Sequence, residues 1–517
     1  MITRKKVLLM ILCLMLLSIN LLGCSNSESN KDKLDNTLDE VDSSITPSPD
    51  DVSNPLEEEI NSIHLKEEEM KEYFKDITLA TSLKGFGFRN PLMTQRLGAD
   101  PYALSYNGRV YMYMTADVVE YEADGVTSKN NSFARINTLN VISSDDLANW
   151  TDHGAIKASG PMGAATWGNN SWAPAAAHKV IDGQDKFFIY FANGGNGIGV
   201  LTSDSPIGPF VDPLGRALIS RSTPNCANVS WLFDPAVLVD DDGTGYLYFG
   251  GGIPNEQYEN PGTGRVVQLA DDMISLAGDP IRMDIPYLFE DSGINKIGDT
   301  YYYSYCSNWN VDPEGAKKYG FNSAQIVYMT SKNPMGPFEL QKPILKNPGV
   351  FFGAYGTNHH CMFEHNGQLY MAYHSQMLEK KMGVTGGYRS TNIDLVTIEE
   401  DGSINNINAS EFGVKQIKSL NPYERVEAET MGTMAGISTV LIEETGKNSG
   451  TGNMAVTDIN TGDWIAVYGV DFGDKGANSF TVNAKAPSKD FGIIEIRLDK
   501  PNGEAVGHLK IDADNSG

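Results

Sequence analysis

The sequence predicts an all-β protein: a five-bladed β-propeller followed by a β-sandwich of the jelly-roll kind. Three observations carry that reading. Glycine (52), proline (24) and tyrosine (23) are abundant in the 517 residues while long helical apolar periods are few, which favours many short strands joined by turns. One sequence plan recurs five times along the middle of the chain. After about residue 420 that plan gives way to a different set of alternating strands.

The five repeats are ADPYALSYNGRVYMYMT from Ala99, WAPAAAHKVIDGQDKFFIYFA from Trp172, FDPAVLVDDDGTGYLYFGG from Phe233, FEDSGINKIGDTYYYSYC from Phe289 and NHHCMFEHNGQLYMAYH from Asn358. Each reads as a hairpin: a strand of small and apolar residues, a Gly-containing turn, then a strand alternating tyrosine with smaller residues. Aligned on their second residue, the repeats bring Asp100, Ala173, Asp234, Glu290 and His359 into one column. The turn glycines Gly108, Gly183, Gly243, Gly298 and Gly367 follow 8, 10, 9, 8 and 8 residues later. Successive repeats are far enough apart to supply one four-stranded sheet each, and five sheets set radially leave few exposed edges. The first strand of each blade lines the central channel, so this column gathers Asp100, Asp234, Glu290 and His359 at one end of the axis.

The flanks read differently. Arg4, Lys5 and Lys6 precede an apolar run from Val7 to Leu17, the plan of an export signal over residues 1–24. Residues 25–84 read as an acidic linker: between Ser25 and Asp76 there are 16 acidic and 5 basic side chains, with a short helix expected near Glu57 to Lys75. The propeller is placed at 85–420 and the sandwich at 421–517. A net charge of −26 repels phosphates and argues against a nucleic-acid partner. Cys226, Cys306 and Cys361 share no metal-ligand spacing and read as buried thiols forming at most one disulfide.

Three carboxylates from separate blades suit hydrolysis of a glycosidic bond. One acid protonates the leaving oxygen, one carboxylate activates water or attacks, and a third raises the acid's pKa by like-charge repulsion. The segments GADPYAL, SWAPAAAHK, FDPAVL and FEDSGI, in this order and spacing, resemble glycoside hydrolase family 43, and most of all its arabinoxylan arabinofuranohydrolase members, over roughly 90–420. The resemblance implies release of L-arabinofuranosyl side chains with inversion: Asp100 as general base, Asp234 as the pKa-modulating carboxylate and Glu290 as general acid. Register with Asp100 and Asp234 favours Glu290 over its neighbour Asp291. A β-xylosidase or an arabinan-cleaving enzyme on the same propeller is the alternative within the enzyme class, and a non-catalytic glycan-binding lipoprotein the alternative outside it. The Asn-Asp-Pro-Asn-Gly start of the sucrose and fructan hydrolases is missing.

The resemblance extends to further residues. It places His359 near a metal or an ordered water on the axis, read as a structural calcium ion with His359 the candidate ligand and His360 the weaker one, although no cofactor is required for the chemistry. It places Arg389, in GGYRSTNID, near the active site, to hold a sugar hydroxyl or a carboxylate. Trp172, Trp309 and Trp167 are candidates for stacking on a sugar ring, with core packing the plainer alternative. The stretch from about Tyr423 resembles a family 6 carbohydrate-binding module, in which Glu427 and Glu429 match a calcium-holding Glu-x-Glu strand; whether the module is complete stays open. Leu21-Leu22-Gly23-Cys24 resembles a lipoprotein box, implying lipidation at Cys24 and a cell-surface enzyme acting on plant cell-wall arabinoxylan, with the membrane touched only through the lipid.

Overall fold

The computed structural model describes residues 66–486 and 491–512, together with a three-residue strand, Leu8–Met10, that runs parallel to Gly492–Arg497. The rest of the expected signal, and Cys24, lie outside the described residues. Among those described, no helix is long and apolar enough to cross a membrane.

The five repeats form five sheets. Blade one consists of Ala99–Tyr106, Arg109–Thr115, Thr138–Ser144 and Trp150–Lys157. Blade two has Trp172–Ile181, Gln184–Ala192 and Ile198–Ser203, with Thr202 bridged to Val211 at its outer edge. Ala236–Val239, Gly245–Phe249, Gly264–Gln268 and Ile281–Met283 make blade three. Blade four is Leu288–Ile297, Thr300–Ser307, Ile326–Ser331 and Glu339–Leu345, and blade five His360–His365, Gln368–Ser375 and Ser390–Val396. Each innermost strand touches the next, and His360–His365 returns to Ala99–Tyr106, so the ring is closed. A segment ahead of blade one seals the junction. Leu92 donates its N–H to the Thr391 carbonyl at 2.9 Å, and Asn90 exchanges side-chain hydrogen bonds with the Ile393 backbone.

The tyrosine-rich second strands follow from this packing. Both faces of a blade are covered by neighbours, so the rings bury their bodies and spend each hydroxyl on the next blade. Tyr113 donates to the Pro206 carbonyl, Tyr190 to Met273, Tyr248 to Pro334 and Tyr302 to Gly402, linking blades one to two, two to three, three to four and four to five.

The turns set the register. Asn107-Gly108, Asp182-Gly183 and Asn366-Gly367 are two-residue turns with both φ values positive, the conformation that fits the twist of a tight hairpin. In blade four the turn is Gly298-Asp299, between Ile297 and Thr300, so glycine takes the first turn position instead of the second. Counting back from the glycine is therefore one residue out in that blade. The residue equivalent to Asp100, Ala173 and Asp234 is Asp291, not Glu290: all four adopt a left-handed backbone (φ 48°, 42°, 47° and 70°). In blades one, two and four a register shift accompanies this kink, as in a β-bulge, which bends the strand and re-aims the neighbouring side chains. Glu290 instead shares the register position of Trp172 and Phe233, immediately before the kink.

The C-terminal region is strand-built, with Thr433–Ala435 paired to Trp464–Ala466, Ser438–Glu444 to Gly452–Thr457 and Gly492–Arg497 to Ala505–Ile511. It is tied to the propeller, since Thr430–Met431 pairs with Thr151 and Trp150 as a fifth strand of blade one. At this seam Asp152, fully buried, accepts from Arg96, Gln95, the Gly154 N–H and the module's Thr439 hydroxyl. The short helix expected near Glu57 to Lys75 is found among the described residues. Glu67–Phe74 is a helix whose Met70 and Phe74, four residues apart, pack with Ala435, Trp464, Ala466 and Ile493 of the module. Abundant charge around these two residues hid an apolar face only two side chains wide. Cys226, Cys306 and Cys361 are buried and unpaired.

Candidate active site

Residues from all five blades, Trp172 and Gly195 of the second among them, meet at one end of the axis around a cavity of about 550 Å³. Asp100 and Asp234 arrive on the kinks of blades one and three and Glu290 from the position before the kink of blade four; all three line the cavity. His359 and His374 of blade five and Arg389, just ahead of its outer strand, complete the polar part. The walls are aromatic: Phe133, Trp172, Trp231, Phe233, Phe289 and Trp309. Trp231 packs edge-on against Phe233 and Phe289 at 5.2 and 5.3 Å between ring centres. Trp231, Trp309 and Phe133 remain 38%, 40% and 40% exposed, enough to offer a face to a ligand.

The charges are unequally matched. Arg389 Nη1 donates to both oxygens of Asp100 at 2.9 and 3.2 Å, while its Nε and Nη2 donate to Asp117 at 2.9 and 2.8 Å. The Asp100 N–H donates to His374 Nδ1 at 3.1 Å, and His374 Nε2 lies 2.8 Å from the Thr357 carbonyl, which fits a ring proton on Nε2. Burial disfavours the Asp100 carboxylate, but the Arg389 charge outweighs it and holds that carboxyl well below the usual range. Glu290 has no such partner, and its Oε1 is buried without a hydrogen bond. Burial, then repulsion from Asp100 and Asp291, pushes Glu290 up to about 8. Asp234 is raised well above the ordinary value for the same reasons, burial first and then Glu290 and Asp100; its Oδ2 accepts the Asp291 N–H at 3.0 Å. One cation among three carboxyls thus fixes Asp100 as the ionised member and leaves protons on the others.

The Glycosyl hydrolases family 43 profile matches residues 88–404, and the family 6 carbohydrate binding module profile matches 427–517. The chain belongs to glycosyl hydrolase family 43. Within this family it is 51% identical over 437 residues to an arabinoxylan arabinofuranohydrolase of Paenibacillus polymyxa, covering 82% of this chain and 67% of that protein. It is 49% identical over 447 residues to an arabinoxylan arabinofuranohydrolase of Bacillus subtilis (strain 168), covering 84% and 85%. A crystal structure of a family 43 arabinoxylan arabinofuranohydrolase from Bacillus subtilis, in complex with cellotetraose, superimposes with a TM-score of 0.78 at 47% identity, over 84% of this chain and 90% of that one.

Against this family 43 cavity the residues expected from the sequence sort clearly. Asp100, Asp234, Glu290, Trp172, Trp309, His359 and Arg389 all reach it. Trp167 does not: its indole N–H is bound to Asp212 and its ring stacks on Phe191. Trp172 lends only part of its surface, because its N–H is spent on the Phe133 carbonyl at 2.8 Å. Arg389 meets carboxylates, as one of its two expected roles required. His359 stands among acids, Nε2 3.2 Å from Asp291 Oδ1 and Nδ1 3.7 and 3.8 Å from Asp100 and Asp234. Asp291 points away from the cavity into His360, whose Nδ1 is 2.5 Å from its Oδ2. In the module Glu427 pairs with Arg425, whereas Glu429 is buried, accepts the Met454 N–H and is pushed up to about 7 by burial. Among the described residues, no three His, Cys, Asp or Glu side chains converge on a metal position.

Asp117, His374, Phe133, Trp231, Phe233 and Phe289 were missed by sequence reasoning. A signal existed for Phe233, because it shares the register position of Trp172 and Glu290, both of which line the cavity. Asp117 and Phe133 carry none, since they lie in the long excursion between the second and third strands of blade one.

Proposed function

We propose that the protein removes L-arabinofuranosyl side chains from arabinoxylan by single displacement with inversion. The observation that carries this reading is the placement of three carboxyls on one aromatic-walled cavity with only Asp100 matched by a cation. The names of its family 43 relatives support the substrate. Glu290, protonated near neutral pH, gives its proton to the glycosidic oxygen as that bond breaks. Asp100 orients a water on the opposite face of the sugar and takes its proton as oxygen bonds to the anomeric carbon. Its weak basicity suits an oxocarbenium-like transition state, in which the water needs orientation more than early deprotonation. Burial and repulsion from Asp100 and Asp291 keep Glu290 protonated, and Asp234, accepting the Asp291 N–H, orients the strand that carries it. Proton exchange with solvent then resets the two catalytic groups.

Calcium enters this reading only as a structural ion. On the axis, His359 and Asp291 Oδ1 would face it with waters supplying the remaining oxygens; in the module Glu429 would, with Glu427 only if released from Arg425. Bound there, it would supply a fixed positive charge and rigidity. The same reading puts the enzyme outside the cell on a lipid at Cys24, and loss of fatty-acid labelling in Cys24→Ala tests it.

Incubation with wheat arabinoxylan, arabinan and nitrophenyl glycosides decides the substrate. Arabinose released from arabinoxylan is expected, with the inverted anomer appearing first by proton NMR. Xylose alone would replace the reading by a β-xylosidase, and no sugar from any substrate would favour a glycan binder.

A further inference from the structure

We infer that Asp117 is the positioning residue of the catalytic base, fixing Arg389 edge-on so that its free edge serves Asp100 and not the sugar. The inference rests on reading Asp100 as the base. Asp117 lies just past the second strand of blade one and Arg389 just ahead of the outer strand of blade five, so their contact spans the junction where the ring closes. The Asp117 side chain is wholly buried and forms no part of the cavity wall, so it cannot reach a substrate. All it does passes through Arg389. It accepts from Nε and Nη2 and also from the Arg389 backbone N–H at 2.9 Å, three bonds that fix the guanidinium plane and the start of the strand together. Phe133 covers the guanidinium, its ring centre 5.0 Å from Cζ, and blocks one direction of swing.

The arrangement has a chemical purpose beyond pairing charges. A lone arginine beside Asp100 and Glu290 could turn toward either carboxyl, and pairing with Glu290 would ionise the acid. Asp117 removes that choice. It holds the fork where Nη1 spans both oxygens of Asp100 and leaves Glu290 unpaired.

The test is steady-state kinetics on whichever nitrophenyl glycoside the wild type cleaves best, so a sugar other than arabinose would change the proposed function without touching this inference. Asp117→Asn keeps the volume but loses one strong acceptor and the charge. Its kcat is expected to fall about 10- to 100-fold, as for a small misplacement of a catalytic group, with KM within twofold. In an Arg389→Gln background the same change is expected to cost less than twofold, because the group it acts through is gone. A raised KM at unchanged kcat, wild-type kinetics, or equal losses in both backgrounds would each overturn the inference. Should Asp117→Asn not fold, Arg389→Lys carries the test, since a single ammonium cannot span Asp117 and Asp100: kcat is expected to fall at constant KM, and wild-type kcat would overturn it. A wild type inert on every glycoside removes the reaction and the role together.

Discussion

The cavity and the propeller–module seam both bury charge, and they treat it in opposite ways. At the seam Asp152 receives five donor groups, including the Arg96 fork, and Arg96 in turn reaches Asn140 and the Gly154 carbonyl. Nothing on that carboxylate is left to react. In the cavity Glu290 Oε1 is buried without a hydrogen bond, and one arginine serves two aspartates. Satisfied buried charge holds domains together, whereas unsatisfied buried charge is chemically poised.

The sharpest way to break the comparison is to satisfy the cavity artificially. Glu290→Gln removes the proton that must be donated, and kcat/KM on natural substrates is expected to fall about 10²–10⁴-fold. The same change removes a raised carboxyl, with a predictable sign. Between pH 4.5 and about 8 the folded wild type binds more protons at this site than the unfolded chain, so its contribution to stability falls as pH rises through that window. Melting scans at pH 8 are therefore expected to find the inactive variant at least as stable as the wild type. A large drop in Tm would show that Glu290 is structural.

The converse change at the seam is expected to cost stability while sparing chemistry. Asp152→Ala leaves the partly buried Arg96 and the other donors at this site without their acceptor, at a cost of about 1–3 kcal/mol. Urea unfolding measures the loss, and kcat on the folded fraction is expected to stay within about twofold, since Asp152 lies outside the cavity. Coupled loss of kcat would dissolve the distinction between the two regions.

A smaller effect sharpens the charge assignment within the cavity. Because Glu290 is raised to about 8 and must be protonated to act, the alkaline limb of kcat/KM is expected near that pH, falling about tenfold per unit above it. The acidic limb reports Asp100, held ionised far into acid by Arg389. An alkaline limb near 5 would mean that Glu290 is an ordinary exposed acid.

How much of this was legible in the sequence depends on where the information is stored. The five blades and the three acids were legible because each repeat writes the same hairpin, and symmetry turns a column of letters into a ring of side chains. The one-residue slip at Glu290 arose because Gly298 takes the first turn position while Gly108 and Gly367 take the second. Glu290 lines the cavity all the same, because the position before the kink also faces it there, as at Trp172 and Phe233. Asp117 and Phe133 were invisible: their roles depend on how a loop of blade one meets blade five. The short helix at the end of the acidic segment was expected, but its docking was not, because Met70 and Phe74 acquire meaning only against the module they cover.

The smallest expected effect concerns a buried lysine at the seam. Lys84 is 1% exposed, donates to the Pro91 carbonyl at 2.9 Å and has no carboxylate partner among the described residues. Burial, then repulsion from Arg89 and Lys381, lowers it from 10.5 to about 7. Between those values the unfolded chain binds the proton that the folded chain has released, so wild-type stability is expected to rise with pH, by at most about 1.4 kcal/mol per unit. Lys84→Met keeps the length of the side chain among Leu92, Met93, Trp150 and Met434, and removes the charge. It also strands the Pro91 carbonyl, at a cost of about 1–3 kcal/mol. The variant is therefore expected to be more stable than wild type at pH 6 and to lose that lead by pH 9. A lead that does not change with pH would mean that Lys84 stays charged in the fold.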